Sequence, residues 1–554
     1  MSTTTPPTER DPAGSVAVQL PAAPIIPLLL ATLLCLLPFL DKAFHIDDPL
    51  FIWTAQWISR HPFDPYGFTV NWYGTGEPMA TIMRNPPLTS YYLAAVGTLL
   101  GWGERTLHVA FLAPALACVA GTYRLAQQLC RHPLGAALAT LVCPAFLVSS
   151  TTVMCDVTML AFWVWALVLW IGGIEDQDRD KLLLSALLIT LCLLTKFNGA
   201  TIVPLLLAYT VVRRRSLGPW VIYLIVPLVV LAVYLWSMRN AYGGDSVSAA
   251  IWLSTSGAAF GFHLSRIVVA LAFVGGCAAV ALFYLPLIWP RWVTVAQMIG
   301  VGVIAVAAAG THLAGTLAGR PVPTGQLIVF LVVGLNLLAL SISDVLRRRD
   351  AGAVLLALSV IGTVFFAGIV SWSISGRYLL PLLPAVGILL MRAIEDRPGP
   401  SGPQRRLLVL APLLPAAALA LLVTWSDYTL AGSARTAAIE IHSQHGGSGT
   451  LWFQGHWGFQ YYMQALGAKP LDGKRPGIRP GEVLIIPQNN SNVYPVNPHW
   501  IEDRKLIRFD TLPWLATMNP QMGAGFYSDA VGPLPFVFGP VPADVYEVLR
   551  IAQR

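Results

Sequence analysis

Apolar runs of about 17 to 25 residues, long enough to cross the hydrocarbon core of a bilayer, recur from residue 22 to residue 425. They predict helices over 22–40, 105–127, 133–152, 156–173, 181–196, 198–212, 218–237, 264–288, 292–312, 324–345, 351–371, 378–393 and 406–425. That is about thirteen crossings. The stretch from Pro86 to Trp102 is also apolar, but a crossing there would put Arg124 and Arg131 outside and Asp156 on the cytoplasmic side. It reads instead as a helix lying in or dipping into the outer interface. After residue 425 the pattern changes. Short strand-like runs (Thr450–Phe453, Glu482–Ile486, Lys505–Phe509) alternate with helical stretches such as Ala434–His442. A small α/β domain is expected over 426–554. Residues 1–20, rich in Thr and Pro, read as a disordered cytoplasmic tail. The run Pro21–Leu40 lacks a small-residue cleavage pattern, so it is expected to remain as the first helix of a membrane domain over 21–425.

Composition agrees with this reading. The 554 residues are 55% hydrophobic and 11% charged, where a soluble domain carries about 25% charged residues. The net charge of +7 comes largely from short clusters between apolar runs: Arg213–Arg215, Arg347–Arg349 and Arg405–Arg406. Such clusters belong on the cytoplasmic side, so the charge reports topology and not a nucleic-acid partner. Counting from them puts the N-terminus inside. Outside lie a first loop over 41–104, a second over 238–263, and the C-terminal domain. All seven cysteines lie at or before Cys277, in or beside apolar segments, with no CxxC spacing. They read as small buried hydrophobes, not as a disulfide or metal framework.

The first loop opens with His45-Ile46-Asp47-Asp48, two adjacent carboxylates directly after a membrane helix. On residue types alone a helix N-terminus explains them: Asp47 caps, Asp48 favours the dipole, and Pro49 sits in the first turn. Three further ionisable groups project to the same outer face on this map. They are Asp156 at a helix start, Lys196 at a helix end, and Arg377 before Tyr378-Leu379-Leu380-Pro381. Singly, Asp156 reads as an N-cap, while Lys196 and Arg377 read as side chains snorkelling to the interface. Four such positions on one face, of both signs, favour a site, because charge near a membrane is costly. The aromatic run Leu451–Tyr462 suits a sugar-binding surface or, more simply, a strand–turn–helix packing its rings into a core. His45 and His456 read as hydrogen-bonded structural residues, not metal ligands.

The order Asp47-Asp48, then Asn85-Pro86-Pro87-Leu88, Asp156, Leu194-Thr195-Lys196 and Arg377-Tyr378-Leu379-Leu380-Pro381 resembles the protein O-mannosyltransferase superfamily. These are membrane glycosyltransferases of the GT-C fold, and they include the lipid A aminoarabinose transferases. The likeness covers roughly residues 22–395. It implies an all-α GT-C membrane domain of about thirteen helices, a polyprenyl-phosphate sugar donor, and an extracytoplasmic active site. Asp47 matches the family's catalytic base, and Asp48 fills a slot where Glu is frequent. Asn85 stands where a His or Lys commonly precedes Pro-Pro-Leu, and Arg84 next door is the candidate substitute. The resemblance thus implies Asp47 and Asp48 as catalytic residues, with Lys196, Arg377, Tyr378 and Arg84 on the donor phosphate. Asp156, Asn85 and His45 fall on the substrate.

The chemistry is coherent. One carboxylate takes the acceptor hydroxyl proton as attack on the anomeric carbon inverts it. The leaving phosphate is already charged, so cations suffice to stabilise it. A divalent metal on Asp47, Asp48 and Asp156 is possible chemistry but not the favoured reading, and no cofactor is expected. The acceptor is a glycan, lipid or protein. Compact loops and short tails point to a bacterial inner membrane. Two rivals are a transporter or flippase for lipid-linked saccharides, which should show inverted repeats that are not seen here, and a glycan-binding assembly protein, which would tolerate loss of Asp47.

Overall fold

The computed structural model describes residues 25–244, 264–310, 316–317, 319–397, 402–447, 449–474 and 476–552. The expected tail over 1–20 and residues 245–263 of the expected second loop lie outside them. That loop's start continues the helix Ile222–Tyr242.

Each of the thirteen expected segments falls on helical structure. By length and apolarity, however, seven helices among the described residues suffice to cross a membrane, or nine when two bent pairs each count as one span. The bent pairs are Pro133–Leu141 with Pro144–Ser150, at 64°, and Leu264–Cys277 with Val280–Ile288, at 88°. Shortness accounts for part of the difference from thirteen. The first apolar helix is Ile25–Phe39, and Arg179–Thr195 has 17 residues. Leu88–Leu100, with 13 residues, rises about 20 Å against a core of about 30 Å. That length suits a helix in the interface.

The bundle has two chemically different poles. Helix Cys155–Asp176 has 22 residues and so spans about 33 Å. At its start Asp156 meets Lys196, and at its end Glu175 accepts from Arg213 Nε at 2.6 Å. The basic clusters gather at that second pole, where Arg348 pairs with Asp396 at 2.7 Å, Arg392 with Asp344 at 2.7 Å, and Arg405 donates to the Ile394 carbonyl. One bilayer thickness separates the Asp156 pole from the arginine pole. The described cysteines are all free, five of them buried.

Helix Leu413–His445 runs 33 residues without a break, so the boundary expected at 425/426 falls inside it. Its last turns put Ala437, Ala438 and Ile441 into a small core with Leu451, Phe453, Phe459 and Met463. The C-terminal sheet has five strands in the order Lys469–Pro470, Leu451–Phe453, Val483–Pro487, Asp544–Ile551, Ile501–Phe509. The first two pairings are parallel and the last two antiparallel. Three of these strands match the expected runs. The fourth, Asp544–Ile551, lies outside the expected runs: its polar residues Asp544, Glu547 and Arg550 fall three apart, so it lacks the two-residue alternation of a half-buried strand.

This domain docks directly on the first loop. Gln460 Nε2 donates to the Asn71 carbonyl at 2.7 Å, the Gly473 amide to the Gly74 carbonyl at 2.8 Å, and the Phe44 amide to Tyr462 OH at 2.8 Å. Gly458 is required there: a Cβ on it would lie 2.0 Å from the Phe44 carbonyl oxygen.

Candidate functional site

Helix Asp48–Ile58 begins the site. Asp47 occupies its N-cap position, but its side chain makes no capping bond. The cap-like role falls to Asp48, whose Oδ2 accepts from the His45 amide and Oδ1 from the Val153 amide, both at 2.8 Å. Asp48 is wholly buried. Just before them Ile46 adopts φ 48°, a left-handed conformation that is costly for a β-branched residue. This strained turn sends the two neighbouring carboxylates in different directions. Asp48 turns into the protein, and Asp47 turns into a cavity.

Asp47 Oδ2 accepts from Arg377 Nη2 at 2.9 Å, and the opposite nitrogen, Nη1, lies 3.9 Å from Asp156 Oδ2. Asp156 Oδ1 in turn takes the Lys196 ammonium, which also sits 4.3 Å from the centre of the Tyr378 ring. Lys196 is 5% exposed and Asp156 1%. Neither Lys196 nor Arg377 snorkels, as each would if it only trimmed a helix end. Lys196 points inward because the helix Arg179–Thr195 ends on it in extended backbone before the turn Phe197–Thr201.

Arg377 is held from both sides. Arg266 donates to the carbonyls of Gly368, Ser371 and Trp372. From the C-terminal domain, Asp529 Oδ1 accepts from Ser373 Oγ and the Ile374 amide, and the Phe526 carbonyl accepts from the Gly376 amide at 2.8 Å. A Cβ on Gly376 would come within 2.8 Å of the Phe526 ring. The Arg377 guanidinium lies 5.3 Å from the centre of the Tyr527 ring, and Tyr527 OH donates to Asp427 Oδ2 at 2.7 Å. Asp427 forms a buried pair with Lys42 at 2.6 Å.

These groups open on a cavity of about 440 Å³. Its charged lining residues are Arg84, Lys196 and Arg377 against Asp47 and Asp156, one positive charge in excess. Asn85 and Tyr378 line it too. Two expected site residues do not. Asp48 is behind the wall, and His45 lies in the Lys42–Asp427 cluster, its Nε2 3.8 Å from Asp427 Oδ1. The structure thus gives His45 a different place from the one expected. The C-terminal domain contributes His456, Trp457, Asn489, Asn490, Ser491 and Tyr527. Of the aromatic run, Phe453 and Phe459 serve the core while His456 and Trp457 reach the cavity. Nothing local marks Tyr527, Trp72 or Tyr73 as site residues. Among the described residues no three His, Cys, Asp or Glu side chains are grouped to hold a metal ion.

Burial pushes the His456 imidazole down to about 3, so it is neutral at pH 7. The unfolded chain protonates this ring below about 6.5 and the folded one does not, so its stabilisation is full above that pH and fades as pH falls toward 3. Relative to His456→Gln, the wild type should lose about 2 kcal/mol between pH 7 and pH 5. Thermal unfolding in detergent at both pH values checks this, and an equal fall in both proteins would refute it.

Residues 84–238 match the family of dolichyl-phosphate-mannose-protein mannosyltransferases. That segment holds Arg84, Asn85, Asp156 and Lys196, and neither Asp47 nor Arg377. No curated protein matches the chain. Among solved structures, ArnT from Cupriavidus metallidurans bound to undecaprenyl phosphate is similar with a TM-score of 0.50 at 14% identity, over 84% of this chain and 93% of that one. The Archaeoglobus fulgidus oligosaccharyltransferase AglB, in complex with an inhibitory peptide and a dolichol-phosphate, gives 0.49 at 12% identity, over 84% of this chain and 69% of that one. The arabinofuranosyltransferase AftD from Mycobacteria gives 0.41 at 14%, over 96% of this chain and 40% of that one. At 14% identity the likeness to ArnT is one of fold.

Proposed function

We propose that this chain, which has the GT-C fold of the protein O-mannosyltransferase superfamily, moves a sugar from a polyprenyl-phosphate carrier to an acceptor hydroxyl. The observation that carries the reading is one cavity in which an uncapped carboxylate, Asp47, faces three cations, Arg84, Lys196 and Arg377. A carrier phosphate suits the positive excess, and its isoprenoid tail suits the apolar helices around it.

In this reading Asp47 takes the acceptor O–H proton as the acceptor oxygen bonds to the anomeric carbon. The bond from that carbon to the phosphate oxygen breaks on the far side, inverting the centre, and the electron pair leaves with the phosphate. Arg377 and Lys196 take up the charge, with Asp156 and Tyr378 holding Lys196 in place. Arg84 supplies the positive charge that Asn85 lacks. The leaving group needs no general acid, and two fixed cations serve it without a divalent metal.

The arginine pole is cytoplasmic and the Asp156 pole extracytoplasmic, since basic loops stay inside. On this orientation the membrane domain sits in a bacterial inner membrane with the C-terminal domain outside, and thirteen crossings require the shorter helices to span as well.

Binding of undecaprenyl phosphate to the full chain in lipid nanodiscs tests the reading. Arg377→Gln removes charge-assisted hydrogen bonds of about 1.5–3 kcal/mol, so affinity should fall roughly 10- to 150-fold. Unchanged affinity would remove the phosphate from this cavity and with it the proposal.

A further inference from the structure

A second cavity, of about 220 Å³, adjoins the first. Its walls come from Ser426 and Leu430 on the long helix, from Gln488 and Asn489 after the central strand, and from segments 515–521 and 541–545. Asn489, Met518 and Pro520 line both cavities, so the two meet at these three residues. Asn489 Nδ2 ties two of them together by donating to the Met518 carbonyl at 3.1 Å.

The two cavities differ in chemistry. The first has three cationic side chains, whereas the second has no Lys, Arg or His among its described lining residues. Its one charged group is Asp544, which is 7% exposed. Asp544 Oδ2 accepts from Ser433 Oγ at 3.0 Å and Tyr546 OH at 3.2 Å. Gln488, Asn489, Thr511, Asn519 and Gln521 supply amides and a hydroxyl. An anion finds no cation here, and an isoprenoid tail would cover a carboxyl and several amides with groups that cannot use their remaining hydrogen-bonding capacity. A neutral group rich in hydroxyls can pair with a carboxyl and several amides at once. The volume corresponds to about seven waters, the scale of one sugar ring.

We infer that this second cavity is an acceptor subsite for a neutral sugar unit adjacent to the one presenting the reactive hydroxyl. The acceptor is then a glycan of at least two units that runs from one cavity into the other past Asn489, Met518 and Pro520. The inference rests on the reading of the first cavity as a glycosyl-transfer site. It makes the C-terminal domain part of acceptor recognition, not only a support for Arg377.

Saturation-transfer NMR on the full chain in nanodiscs tests it, with neutral mono- and disaccharide methyl glycosides of the gluco, manno, galacto and arabino series as probes. The expected result is that one disaccharide series binds with transfer to both rings, at least tenfold more tightly than its monosaccharide. Asp544→Asn and Gln521→Ala should each weaken that binding several-fold while undecaprenyl-phosphate binding persists, which also shows that the variants fold. Disaccharide binding that is indifferent to both substitutions overturns the inference. So does the absence of any disaccharide binding in a protein that holds undecaprenyl phosphate, and the transferase reading survives both results. Failure to hold undecaprenyl phosphate sinks the transferase reading itself.

Discussion

Asp47→Asn is expected to lower sugar transfer by about 10²- to 10⁴-fold, the usual contribution of a general base, while the protein still folds and binds polyprenyl phosphate. The substitution keeps size and one carbonyl oxygen, so Arg377 Nη2 retains an acceptor where it now meets Asp47 Oδ2 at 2.9 Å. Arg377 also keeps Asp156 nearby, and Asp47 itself is about 30% exposed, so little buried charge is uncovered. What is lost is the lone pair able to carry the acceptor's proton. Transfer assayed in membranes with an undecaprenyl-phosphate-linked sugar would show it, and wild-type turnover in the variant would rule Asp47 out as the base. A glycan-binding assembly protein would be indifferent to the change. Asp48→Asn makes the contrast. Both Asp48 oxygens accept backbone amides, and an asparagine offers only one acceptor, so the cost of about 1–3 kcal/mol should appear in stability.

The largest expected effect on stability is at Lys196. Lys196→Met removes the partner of Asp156 and leaves a carboxylate that is 1% exposed with only Arg377, 3.9 Å away. Breaking one side of a buried pair costs about 3–5 kcal/mol because the remaining charge stays desolvated. Adding Asp156→Leu should return part of that loss, since a neutral pair of similar volume carries no desolvation penalty. Neither protein should transfer sugar, because a cation facing the leaving phosphate is gone from both. Unfolding midpoints in detergent for the two variants decide the matter. A single variant as stable as the wild type would show that Asp156 finds another partner or a proton.

The membrane part was legible in the sequence because a bilayer imposes a length. An apolar run must approach 20 residues to satisfy its backbone across the core, and each of the thirteen expected segments is helical. The strands at Leu451–Phe453 and Val483–Pro487 were legible because pleating acts within a few residues. Asp544–Ile551 has polar residues every third position, so its strand is set by pairing with Val483–Pro487 and Ile501–Phe509 and not by a local pattern. The candidate site was legible as four ionisable residues whose cost near a membrane demands an explanation. Residue types alone could not tell cap from site, since Asp47 does stand at an N-cap and Asp156 in a first helical turn.

Folding decided the rest. Asp47 and Arg377 stand 330 residues apart, and no local preference brings them together. The left-handed turn at Ile46 separated Asp47 from Asp48. Docking of the C-terminal domain placed Tyr527 and Phe526 against the Arg377 segment, and it set His456 and Asn489 in the cavity wall. Hydrophobic period and run length act between near neighbours and can be read along a chain. The direction of a buried charge is set by which partner can compensate its desolvation, and that partner is found only once the chain has packed.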